Sequence, residues 1–127
     1  MEAFVDYDFY ASDYGGADVP TTDFPKLAYM ASFEVNTQTL ERAETVMSEG
    51  TDTSLMDKIK MATCAVIDVM YEGEQSQYSS HVASEKIGDH AVTYTSAEVV
   101  AHYETAKLHD AIYRYLGLTG LMFAGVG

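Results

Sequence analysis

Leu55, Ile59, Ala62, Val66 and Val69 recur at spacings of four, three, four and three. No other stretch of this chain constrains its fold as strongly. At 100° per residue the five share one helix face, and Met56, Thr63, Ile67 and Met70 widen it. Asp57, Cys64, Asp68 and Glu72 fall on the other side. Thr51, Asp52, Thr53 and Ser54 all offer N-caps before the first apolar residue, and Gly73 offers a stop. The spacing predicts a helix over Leu55–Tyr71, with a seam that the rest of the chain must cover.

The other segments read as partners for that seam. Near the N-terminus Asp6 can cap a two-turn helix in which Tyr7, Tyr10 and Tyr14 recur at helical spacing, ended by Gly15-Gly16. Tyrosines so placed pack on their rings and keep their hydroxyls at the rim. A second helix is expected from about Thr22 to Thr37, with Pro25 in its first turn, where no donor is needed. Phe24, Ala28, Ala31 and Val35 form its inner stripe with Leu27, while Tyr29 and Phe33 lie roughly opposite. Between Thr39 and Gly50, Leu40, Ala43, Val46 and Met47 allow one or two further turns.

Residues 73–84 are rich in Ser and Gln and lack periodicity, so an exposed loop is expected there. Glu85–Tyr94 holds a Gly88-Asp89 turn and the strand formers Val92, Thr93 and Tyr94, which suits a short β-ribbon. Ser96 then caps a last helix, Ala97–Leu116, closed by Gly117. Its Ala97, Ala101, Leu108, Ile112 and Tyr115 share a face; Val99, Tyr103, Ala106 and Tyr113 share the other. The chain finishes LTGLMFAGVG, apolar and punctuated by glycine, a tail that is costly unless it docks. The expected architecture is all-α: three main helices and a short first one, with a ribbon or long loop before the last helix. The domain spans 1–117, with 73–95 inserted, and 118–127 is an extended tail. The second apolar stripes exceed what one small core can bury, which points to an oligomer or a docked subunit.

At 127 residues the chain has room for one modest core. Its single cysteine forms no intramolecular disulfide and, mid-helix without a histidine on its face, reads as structural. No apolar run is long enough to span a membrane. Twenty acidic residues against seven basic ones give a net charge of −13, and six acids precede the first base, Lys26. Clustered cations for binding phosphates are missing, so direct nucleic-acid binding is excluded. His102 and His109 share a helix face, but roughly 10 Å of rise separates them, too far for one ion without other ligands. His81 and His90 lie in the loop and ribbon, and all four histidines read as exposed or interfacial. Glu41, Glu44 and Glu49 have no partner base at fixed spacing, and neither a GxxxxGK[ST] nor a GxSxG motif occurs. No enzyme, cofactor or metal site is expected.

One resemblance covers nearly the whole chain. SEKIGDHAVTY at Ser84–Tyr94, a following helix and the ending YRYLGLTGLMFAGVG resemble the small head–tail connector (adaptor, or head-completion) proteins of long-tailed bacteriophages. The opening fits too: a short Tyr-rich helix ending in Gly-Gly, then Asp23-Phe24-Pro25 entering the next helix. His90 stands where that family usually has an aromatic residue, and Ala124 where it has a basic one. The resemblance implies a structural virion protein of the neck, made in the host bacterial cytoplasm and assembled as a ring of twelve subunits between portal and tail. It further implies that Leu118, Leu121, Met122, Phe123 and Val126 dock on the portal. Ile87, Val92, Tyr94, Tyr103 and Tyr113 would then meet neighbouring subunits or the next neck or tail-completion protein. DNA would pass through the ring without specific binding, and an acidic lining would repel it. The competing expectation is an acidic helical DNA mimic or regulator. Mimicry calls for carboxylates at regular spacing on one surface, whereas these are scattered through termini, loops and helix backs.

Overall fold

The computed structural model describes residues 2–87 and 105–122, with 76–87 as backbone only. The described part is predominantly helical and contains no strand. After an extended start, a π-helical turn spans Phe9–Tyr14. Three helices follow: α1 (Phe24–Gln38), α2 (Arg42–Glu49) and α3 (Thr53–Ile87). A last helix, α4, covers 105–116 within the described residues.

Helix α3 is the axis of the fold. Asp52 starts it, its carboxylate accepting the Leu55 N–H at 3.0 Å. Ile59, Ala62 and Val66 of the seam are buried, but so are Thr63, Cys64, Ala65 and Ile67. The helix is therefore enclosed on all sides over 62–67, as only the central helix of a small fold can be. The side bearing Cys64 and Asp68, expected to face away from the core, is covered. The cover is the N-terminal segment, whose Phe4, Val5, Tyr10 and Val19 join the same core. Each fully buried branched side chain there contributes roughly 1.5–3 kcal/mol of transfer free energy.

Helix α1 packs on α3 through the expected stripe, Phe24, Leu27, Ala28, Ala31 and Val35. Ser32, buried on the same face, accepts the Phe4 N–H at 2.9 Å and donates to the Ala28 carbonyl at 2.7 Å. The N-terminal segment is thereby tied to α1 by a relay with no unpaired member. The corner into α2 passes through Leu40 and Glu41, both left-handed at φ 57° and 66°. A non-glycine pair there costs about 1–2 kcal/mol per residue. Side chains brace it: Thr39 Oγ1 accepts the Ala43 N–H, and Asn36 Oδ1 accepts the Glu44 N–H. Gly50, at φ 66°, ends α2 by donating to the Val46 carbonyl.

Two expectations are corrected. Gly73 does not end α3, and residues 73–84 are helix rather than loop, since the element continues to Ile87. Gly73 is not among the positive-φ glycines, so nothing in its backbone turns the chain, and an already nucleated helix propagates through it. Glu85, Lys86 and Ile87 are likewise helical rather than part of a ribbon; the ribbon's remaining residues, 88–94, lie outside the described residues, as do 97–104 of the last helix. Within α4, Ala111, Ile112 and Leu116 are buried, with Leu108 and Tyr115 at the margin.

Candidate interaction surface

With the core closed, a few large apolar side chains remain in solvent. Tyr29, Met30 and Phe33 occupy two turns on the outer face of α1 and are 41–59% exposed. They are exposed because the helical period that aims Phe24, Ala28, Ala31 and Val35 inward aims these outward. Tyr113 projects from α4 and stacks on His109 at 6.0 Å between ring centroids. His109 Nδ1 lies 3.3 Å from Gln38 Oε1, which ties this exposed pair to the C-terminal end of α1. Leu40, in the left-handed α1–α2 corner, is half exposed.

The start of the tail divides into two kinds of residue. Leu118 is 98% exposed. Leu121 is 9% exposed and belongs to the core, with Met122 packed against it. Thr119 makes the fold-back: its hydroxyl donates to the Leu116 carbonyl at 2.7 Å and accepts the Leu121 N–H at 3.3 Å. Arg42 Nη1 donates to the Gly120 carbonyl at 3.1 Å, joining the tail to α2. Leu121 and Met122 are thus held by this subunit's own core in this conformation, while Leu118 stands in solvent. Phe123 and Val126 lie outside the described residues, as do Val92, Tyr94 and Tyr103; Ile87 is the last residue of α3.

A second polar arrangement was not visible in the spacing of residues. Asp68 accepts the Tyr10 hydroxyl on one carboxylate oxygen at 2.6 Å and the Tyr14 hydroxyl on the other at 2.9 Å. The two rings stack at 5.7 Å. Burial first, then the hydrogen bond to Asp68 and its charge, raises both phenols well above their ordinary range. Burial, followed by the charges of Asp68 and Asp6, pushes the Cys64 thiol up to about 12. It therefore stays protonated and unreactive at neutral pH. The available sequence signals were the i, i+4 tyrosines and one of several acids on α3, too common a pair to match across the chain.

Beside this cluster an open cleft of about 420 Å³ runs between α3 and α4, where Tyr14, Asp68, Glu72 and Asp110 meet Lys107 and Arg114. Acids and bases both line it, and its lining holds neither a serine nor a cysteine nucleophile. Among the described residues no group of three or more His, Cys, Asp or Glu side chains is placed to hold a metal ion, and no helix is long and apolar enough to cross a membrane. Of the histidines, His109 is the one whose surroundings are described. Comparison of the chain with protein-family models, curated proteins and solved structures found no match.

Proposed function

We propose that this chain is a head–tail connector subunit of a long-tailed bacteriophage: a structural adaptor that forms a ring beneath the portal and passes DNA through its centre. The observation that carries this reading is the outer face of α1. Tyr29, Met30 and Phe33 stand in solvent outside the core that the described residues form, and adjacent exposed aromatics of this kind are characteristic of interfaces. The motifs at Ser84–Tyr94 and Tyr113–Gly127, in the order of that family, supply the identity of the assembly. A net charge of −13 suits a channel that must not retain DNA.

In this reading α1 meets the neighbouring subunit, and Tyr113 extends the same contact from α4. Leu118, with Phe123 and Val126, docks on the portal, while Ile87, Val92, Tyr94 and Tyr103 serve neighbour or tail-side contacts. Mass photometry of the chain mixed with assembled portal of the phage that encodes it provides the test. One discrete ring-sized increment of mass is expected. The double variant Tyr29→Ser/Phe33→Ser should melt as the unmodified protein does yet fail to add that mass. Absence of any portal complex with the unmodified chain would contradict the proposal.

A further inference from the structure

Helix α3 is two helices in energetic terms. From Thr53 to Tyr71 it is anchored by the core, but from Gly73 to Ile87 the same helix runs through a sequence with poor helical propensity. Gly73, Ser76, Ser79, Ser80 and Ser84 are all weak formers. At the start of this stretch Glu72, Glu74 and Gln75 are exposed, with Tyr71 and Gly73 half-buried, so burial adds little there. A helix this short is marginal alone. Here the nucleus is already supplied by the core, and each further residue adds only a propagation step whose equilibrium lies near balance.

We infer that residues 73–87 are a conditional extension of α3, a helix–coil element that opens while the core-anchored part of the same helix stays closed. The mechanical consequence is reach. Fifteen residues span about 22 Å as helix and up to about 50 Å extended, so opening changes how far this stretch reaches from the core. This inference rests on α3 alone and stands apart from the connector reading.

Amide hydrogen exchange on the full chain tests it. Amides of 76–87 are expected to exchange by opening locally, far faster than those of 60–70, whose protection should follow global unfolding. Gly73→Ala should slow exchange just after position 73 about fivefold, from the difference in helical propensity between the two residues, and leave 60–70 unchanged. Equal protection of 76–87 and 60–70 would overturn the inference. So would fast exchange that Gly73→Ala does not slow, because the helix would then not be the closed state.

Discussion

The Tyr10 hydroxyl donates to Asp68 at 2.6 Å across 58 positions of sequence. The hydroxyl belongs to a fully buried ring and the carboxylate to the central helix, so the bond decides where the N-terminal segment lies on α3. Tyr14 takes the second carboxylate oxygen, and the pair converts what would be an isolated acid at the core's edge into a paired one.

Removing either end of that bond should be costly. Tyr10→Phe keeps the ring and loses a hydrogen bond to a charged group, worth about 1.5–3 kcal/mol. Tyr14→Phe should cost less, since Tyr14 is only half-buried. Urea denaturation of Tyr10→Phe, Asp68→Asn and the double variant gives the coupling. Strongly non-additive losses are expected; simple additivity would mean the two groups act independently.

Stability should fall at alkaline pH. Tyr10, Tyr14 and Cys64 all have pKa values raised in the folded state, so each contributes stability that is complete below its unfolded value and lost as pH rises. The ordinary values are 10.0 for tyrosine and 9.0 for cysteine, so melting should weaken from about pH 9 upward. Cys64→Ala should delay the onset toward pH 10. A profile still flat at pH 11 would argue against the buried cluster.

Gly15 and Gly16 should resist substitution for different reasons. Gly15 sits at φ 83° in open space, so alanine there strains the backbone by about 1–2 kcal/mol. At Gly16 an added Cβ would run into the Tyr10 ring at Cζ. The ring cannot retreat without breaking its bond to Asp68, and overpacking of this kind costs about 1–3 kcal/mol. Restoring Gly16→Ala by adding Tyr10→Leu, which makes room, would identify the ring as the cause.

Much of the fold was legible because it follows from local rules. The α1 stripe, the Asp6 and Asp52 caps and the α3 seam each express a period or a cap that the residues carry by themselves. The enclosure of Cys64 and Asp68 did not follow, because it depends on the N-terminal tyrosines returning to α3 from far away in sequence. Gly73 misled for a related reason. As a stop it is a weak signal, and a helix already nucleated by Ile59–Ile67 overrides it. The fold-back of Leu121 was hidden by glycines that read equally well as a free tail; the Thr119 hydroxyl made the difference.

The seam itself predicts that Val66→Asp is severe. It would bury an unpaired carboxylate among apolar neighbours at a site with no exposure, costing several kcal/mol or forcing protonation. Thermal melting of the isolated subunit should collapse, and an unchanged transition would move the seam from core to interface.

Portal attachment is the central functional claim, and the fold-back at Leu121 dictates how to test it. Deleting 118–127 would also remove core contacts, so the decisive variant combines Leu118→Ser with removal of 123–127 and leaves Leu121 and Met122 in place. Its binding to assembled portal, titrated beside its thermal melting, is the measurement. An unchanged melting transition with portal binding lost is expected. Undiminished binding would contradict it.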